Sequence, residues 1–345
     1  RGEKDEQASS GKEFVMKTGV NQGVPITFYN LFISGAPVVA TSEVPTTADD
    51  YLAIAKASQD KEGREQTVIR ATNQSLKLRE SAEGYFLRAY AKKGLKRYQS
   101  AISDYSKAIE ADTSRSYSSY VNRANINDDL GDHKGAIDDY TKALSIVLQQ
   151  LNPYEFGGTS SRLLDPKYFH LYYNRGLARQ RLGEYQGAVQ DYTMAIQLDS
   201  RQPLAYNNRG NVKAELKDYQ GAISDYSMSI EIDPSYASPY ANRSGLKSDL
   251  GDYQGAIDDS TKAIQIDPQD SIAYNNRGLT KHRLRDYQGA IDDLNKALEI
   301  NPQYLDVYMT RGASKASLGA YKEAVADFNK AIEINPQYAN AYSNR

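Results

Sequence analysis

A spacing of 34 residues constrains this chain more than any other feature. Pro234, Pro268, Pro302 and Pro336 stand 34 apart, as do Ala188, Ala222, Ala256, Ala290 and Ala324, each opening an Ala-Ile or Ala-Val pair. Ala101 and Ala136 belong to the same series at a step of 35. The step from Ala136 to Ala188 is 188 − 136 = 52, one period plus 18 residues. That surplus is centred on residues 151–168, where Pro153, Gly157, Gly158 and Pro166 predict a loop. Such self-similarity means stacked copies of one supersecondary unit, each burying its apolar face against the next.

Inside a unit the pattern predicts helix–turn–helix. In residues 203–236, Pro203 suits a first helical turn, and Tyr206, Gly210 and Lys213 follow at helical spacing. Lys217-Asp218 makes the turn, and Tyr219, Ala222, Ile223, Tyr226, Ile230 and Ile232 form a second stripe. Asp233-Pro234 ends it, because proline lacks a donor and disfavours helix in the residue before it. Small residues at Gly210, Ala222 and Ser229 allow close helix approach beside Tyr206 and Tyr226.

Composition then excludes several functions. The 345 residues hold no cysteine, so there is no disulfide, thiolate nucleophile or Cys-ligated zinc. The 42 basic and 44 acidic side chains leave a charge of −2, which argues against nucleic acid, where a surplus of cations on one face is needed. His133, His170 and His282 are scattered without metal-ligand spacing, and no phosphate-binding or nucleophile motif occurs in the repeats. No catalytic residue, metal or cofactor is expected in this chain. His133 occupies a slot that tyrosine holds in later units and reads as packing.

The landmarks resemble the tetratricopeptide repeat family. Its pattern of aromatic, small, alanine, aromatic, alanine and proline is matched in the seventh unit by Tyr308, Gly312, Ala324, Phe328, Ala331 and Pro336. Seven units begin near Ala82, Tyr117, Phe169, Pro203, Ala237, Ser271 and Leu305. The departures are Ser260 and Leu294 for an aromatic, and Thr113, Leu148 and Ser200 for proline. The resemblance implies an all-α, right-handed α-solenoid. Its expected divisions are a tail and linker (1–46), a degenerate unit (47–81), two units (82–150), the inserted loop (151–168), five units (169–338) and a truncated eighth (339–345).

Comparing the copies separates recurring slots from variable ones. Tyrosine recurs at 85, 120, 172, 206, 240, 274, 308 and 342, and arginine follows three residues later at Arg88, Arg123, Arg175, Arg209, Arg243, Arg277, Arg311 and Arg345. The second helix carries Asp104, Asp139, Asp191, Asp225, Asp259, Asp293 and Asp327. Arginine and aspartate repeating together predict structural ion pairs: Arg175 with Asp191, Arg209 with Asp225, Arg243 with Asp259, Arg277 with Asp293 and Arg311 with Asp327. The alternative is an arginine ladder for anionic ligands.

Asparagine precedes the arginine at Asn122, Asn174, Asn208, Asn242, Asn276 and Asn344. In tetratricopeptide folds the first helices line the concave face, so this slot forms either an amide ladder for an extended peptide backbone or hydrogen bonds between repeats. The flanking slots vary, with Phe86, Tyr90, Val121, Asn125, Tyr173, Leu177, Asn207, Asn211, Asn275, Leu279 and Met309. Chaperone-tail binders of the family place lysines in such slots; here Lys213, Lys247, Lys281 and Lys315 lie elsewhere on the helix. A protein or peptide partner is therefore expected on the concave face, with Asn122, Asn174, Asn208, Asn242, Asn276, Tyr173, Asn207, Asn211 and Asn275 as its candidate contacts. The array stops in mid-helix at Arg345, which adds self-association as a third expectation.

Residues 18–42 carry no charge, but Gly19, Gly23, Pro25, Gly35 and Pro37 break any membrane-spanning run, and residues 24–33 read as a buried strand. Lys17-Thr18-Gly19-Val20-Asn21-Gln22-Gly23-Val24-Pro25-Ile26 resembles the closing strand of a bacterial trypsin-like serine protease domain. That resemblance implies catalytic residues upstream of Arg1 and makes the repeats the recruiting region of a protease. The compartment is cytoplasmic by default, and periplasmic or secreted on the protease reading.

Overall fold

The computed structural model describes residues 45–59, 61, 63–113, 116–150, 165–337 and 339–344. The expected strand at 24–33, the trypsin-like segment at 17–26, most of the inserted loop and Arg345 lie outside the described residues. The described residues are all helical, in successive pairs. The first four pairs are α1 (Ala48–Gln59) with α2 (Glu65–Leu78), α3 (Ala82–Gly94) with α4 (Tyr98–Ala111), α5 (Tyr117–Asp129) with α6 (His133–Gln150), and α7 (Phe169–Leu182) with α8 (Tyr185–Leu198). Then follow α9 (Pro203–Glu215) with α10 (Tyr219–Ile232), α11 (Ala237–Asp249) with α12 (Tyr253–Ile266), α13 (Ser271–Arg283) with α14 (Tyr287–Ile300), α15 (Leu305–Ser317) with α16 (Tyr321–Ile334), and α17 (Ala339–Asn344). They fall into two compact units, Arg1–Gln150 and Leu151–Arg345. None of the described helices is long and apolar enough to cross a membrane.

Each pair is closed by the same local chemistry. The turn between its helices needs a left-handed residue, supplied by glycine at Gly131, Gly183, Gly251 and Gly319 and by Lys96, Lys217 and Arg285 elsewhere. Asp218, Asp252 and Asp286 then cap the second helix by accepting from the backbone N–H of Gly221, Gly255 and Gly289. Asp233, in an extended conformation at φ −134° before Pro234, terminates α10.

The two helices of a pair meet through a small residue facing a large one. A Cβ at Gly210 would lie 2.7 Å from the Tyr226 ring, and one at Gly312 would lie 2.6 Å from Phe328. Tyr105, Tyr140 and Tyr192 are fully buried in this slot, and where Ser260 replaces the aromatic its hydroxyl donates to Ala256 O at 2.8 Å. The pair α1–α2 is built on the same plan. Ser75 of α2 donates to Ala48 O at 2.8 Å, as Ser229 of α10 does to Pro203 O at 2.8 Å.

First helices also touch their successors directly, α1 with α3 in the first unit and α7, α9, α11, α13 and α15 in turn in the second. Within each unit these first helices form a layer, in which the variable slots Asn207 and Asn275 are buried. His133, expected as packing, places Nδ1 2.7 Å from Asp128 Oδ1.

Candidate functional site

The copied arginine and aspartate meet on the inner sides of each helix pair. Arg209 donates through Nε and Nη2 to the two oxygens of Asp225, at 2.9 and 2.7 Å. The same fork joins Arg175 to Asp191 (2.9 and 2.6 Å), Arg243 to Asp259 (2.8 and 2.7 Å), Arg277 to Asp293 (2.9 and 2.7 Å) and Arg311 to Asp327 (2.9 and 2.5 Å). Arg88 with Asp104 and Arg123 with Asp139 repeat it in the first unit. Planar two-point contact is the strong form of a charge-assisted bond, and tyrosine three residues earlier lays its ring against the guanidinium, at 5.6 Å for Tyr206 and Arg209.

Two further partners turn the pair into a link between repeats. The third guanidinium nitrogen, Nη1, reaches the second helix of the preceding repeat: Arg243 to Ser227 (2.8 Å), Arg277 to Thr261 (3.1 Å), Arg209 to Thr193 (3.1 Å), Arg123 to Ser106 (2.7 Å) and Arg311 to Asn295 (2.7 Å). Lys213, Lys247, Lys281 and Lys315, set apart by the sequence reading, bind the same aspartates at 2.7 to 2.8 Å. Lys92 and Arg179 do so on Asp104 and Asp191. Burial pushes the Asp104 carboxyl up, but Arg88 and Lys92 outweigh it and hold that carboxyl below its ordinary value. With its carboxylates nearly sealed from solvent (4% exposed at Asp225), this cluster joins neighbouring repeats through charges whose pairing must offset a desolvation cost. The arginines are occupied internally, so the ladder for anionic ligands does not describe them.

The asparagines are largely stitches between first helices. Asn208 donates to Tyr173 Oη at 2.9 Å, Asn242 to Asn207 Oδ1 at 3.1 Å and Asn211 Oδ1 at 3.0 Å, and Asn276 to Ala241 O at 2.9 Å. Asn207, buried, donates to Asn208 Oδ1 at 3.3 Å, and Asn275 to Asn276 Oδ1 at 3.4 Å. Tyr226 Oη closes the chain on Asn211 Oδ1 at 2.9 Å. Asn122 donates to Ser118 O at 2.9 Å and accepts from Lys93 at 3.0 Å, while Asn174 lies on α7 beside Arg175. Burial lowers the Lys93 pKa, with Asp129 opposing. Among the described residues, two groups of this network stay unspent and adjacent: the Asn211 amide nitrogen and the Asn242 amide oxygen.

In α3 the equivalent slots are aromatic. Phe86 stacks on Tyr90 at 6.3 Å and packs against Tyr105 at 5.8 Å. Tyr90 takes the place that Asn211 holds in α9, so the buried Tyr105 hydroxyl has no partner. Among the described residues, no cluster of His, Asp and Glu is arranged to hold a metal ion.

Profiles described as tetratricopeptide repeat match residues 203–236 and 271–304, and, in a second form, 82–115, 117–146 and 237–270; one described as TPR repeat matches 181–216 and 312–345. This chain is a tetratricopeptide-repeat protein. No curated protein matches it. Among solved structures, a tetratricopeptide repeat protein from Parabacteroides merdae is similar at 20% identity and TM-score 0.58, covering 76% of this chain and 96% of its own. The Cut9-Hcn1 hetero-tetramer of the APC/C gives 15% identity and TM-score 0.54, covering 86% of this chain and 62% of its own. The peptide-binding tetratricopeptide protein YrrB gives 20% identity and TM-score 0.42 over 50% of this chain and 89% of its own. At these identities the likeness is one of fold.

Proposed function

We propose that this tetratricopeptide-repeat protein is a protein-interaction scaffold whose first-helix layer in the second unit grips the backbone of an extended peptide segment. The observation that carries the reading is the free donor of Asn211 beside the free acceptor of Asn242. An amide pair of that kind matches the N–H and C=O that every peptide unit presents, without reading its side chains. The chain Tyr173–Asn208–Asn207–Asn242–Asn211–Tyr226 holds the two groups in place. Leu204, exposed on α9, supplies apolar contact nearby. Such a scaffold recruits and performs no chemistry of its own.

The test uses peptides selected on the full chain from a random library. Asn211→Asp keeps the oxygen that accepts from Tyr226 and Asn242 but deletes the free donor. Peptide affinity is expected to fall by about tenfold with unchanged thermal stability, since a hydrogen bond lost from a desolvated site costs roughly 1.5 kcal/mol. A library that yields no binder, or binders indifferent to the variant, overturns the reading. The segment 17–26 favours a second reading in which the partner is a substrate of an adjoining trypsin-like domain; a peptidase assay on this chain is expected to be blank in either case.

A further inference from the structure

The first unit holds a groove whose lining differs in charge from the equivalent slots of the later repeats. It is a pocket of about 470 Å³ lined by Arg70, Asn73 and Lys77 of α2, Tyr85 and Arg88 of α3, and Lys107 of α4. Arg88 is already neutralised, with its fork on Asp104 and Nη1 on Asn73 at 2.8 Å. The other cations are not. Among the described residues, Arg70, Lys77 and Lys107 have no carboxylate partner, and Lys107 rests 5.5 Å from the centre of the Tyr85 ring. Glu80 accepts from the Tyr85 hydroxyl at 2.7 Å, an anion that raises the pKa of the phenol.

Because α2 and α4 have 14 residues each, as do the second helices from α8 onward, their slots align one for one. The sixth slot holds Arg70 in α2 but Asp138, Asp258 or Asp292 in α6, α12 and α14, and it is never basic in the other copies. The thirteenth slot holds Lys77 in α2 but Glu110, Glu231, Glu299 or Glu333 in α4, α10, α14 and α16, again never basic elsewhere. On α14 and α16 that glutamate pairs with the tenth-slot lysine of its own helix, Glu299 with Lys296 at 2.6 Å and Glu333 with Lys330 at 2.5 Å, whereas among the described residues Lys107 forms no such pair with Glu110. At α2 two cations stand in slots where the other copies carry acidic or neutral residues.

We propose that this groove binds a phosphomonoester. Three uncompensated cations call for more than one unit of negative charge, and a phosphate monoester brings about −1.5 to −2 with three acceptor oxygens. Arg70 supplies a fork suited to two of those oxygens, Lys77 and Lys107 supply point charges, and Asn73 and Gln74 supply amide donors at the edge. The site lies between second helices of the first unit, so it is independent of the peptide reading above. A free phosphate compound and a phosphorylated protein segment share this chemistry.

Titration calorimetry on the full chain at low salt decides it, with inorganic phosphate, O-phosphoserine, a neutral peptide carrying one phosphoserine, and the same peptide with aspartate in its place. Saturable binding of the phosphorylated ligands is expected, weakening with salt and as pH falls through about 6, where phosphate loses its second charge. Tighter binding of the phosphopeptide than of phosphoserine marks a protein segment as the source, and equal binding marks a small phosphate compound. Arg70→Ser with Lys77→Glu, residues the later copies carry at those slots, is expected to fold normally and to lose at least about tenfold in affinity. Asp292→Arg with Glu299→Lys is expected to create a second such site between α14 and α16, with Lys330 in the place of Lys107. No saturable phosphate binding, aspartate peptide binding as tightly as phosphoserine peptide, or unchanged affinity in the folded double variant overturns the proposal.

Discussion

The repeat built from α3 and α4 and the repeat built from α9 and α10 share one plan and use its variable slots in opposite ways. Both place an arginine fork on a buried aspartate, Arg88 on Asp104 and Arg209 on Asp225, and both fill the slot behind it with a buried tyrosine. In α9 the variable slots are amides, and the Tyr226 hydroxyl finds Asn211. In α3 they are aromatic, and the Tyr105 hydroxyl finds nothing. Cationic side chains of α2 flank the α3–α4 repeat, in slots where the later repeats carry acidic or neutral residues. The difference teaches that copied residues hold the stack in register, and that recognition is written in the slots left over.

The largest expected effect lies in what the repeats share. Asp259→Ala leaves Arg243 and Lys247, 16% and 22% exposed, facing an empty site, and should cost roughly 3 kcal/mol in chemical denaturation. A loss below about 1 kcal/mol would mean that the cluster behaves like a surface pair. The tyrosines then divide the two repeats. Tyr226→Phe should cost about 1 kcal/mol by breaking the bond to Asn211, whereas Tyr105→Phe should be neutral or stabilising because it removes an unpaired buried hydroxyl. Equal losses at both sites would erase the contrast.

Asn208→Ala and Asn276→Ala should each cost about 1 kcal/mol of stability through the lost bonds to Tyr173 and Ala241, and should leave peptide affinity nearly unchanged. The smallest effect is one of pH. Burial, then Arg283, lower the pKa of His282 below its ordinary 6.5, so its contribution is complete above that value and is lost as pH falls through the folded one. Urea midpoints at pH 7.5 and 5.5 should show a small decline that His282→Gln reduces, the remainder belonging to His170, whose pKa burial also lowers.

Much of this fold was legible because its landmarks recur. Ala222 and the Asp-Pro or Asn-Pro that ends the second helix recur in every later copy, and the structure ends α10 at Ile232, just before Asp233-Pro234. Arg209 and Asp225 could be matched because both recur without exception. Lys213 was set aside although it lies four residues beyond Arg209, on the same helix face, which was the available signal. Thr193, two residues after Asp191, carries the same kind of hint, but its partner Arg209 sits in the following repeat. The fate of the Asn208 amide depends on how closely α7 and α9 approach, which no spacing within one repeat contains. The basic groove stayed hidden because α2 lacks the landmarks: Ala71 stands where Asp104 stands in α4, so Arg70 and Lys77 had no frame to be compared in.

The central claim, that one arginine ties its own repeat to the preceding one, is tested most directly by a double-mutant cycle on Ser227→Ala and Asp259→Ala in the full chain. These residues belong to different repeats, on α10 and α12, and both bind Arg243. The account predicts a coupling of about 0.5 kcal/mol or more, vanishing when the cycle is repeated on Arg243→Gln. Additivity within about 0.3 kcal/mol, or a coupling that survives the loss of Arg243, would contradict it.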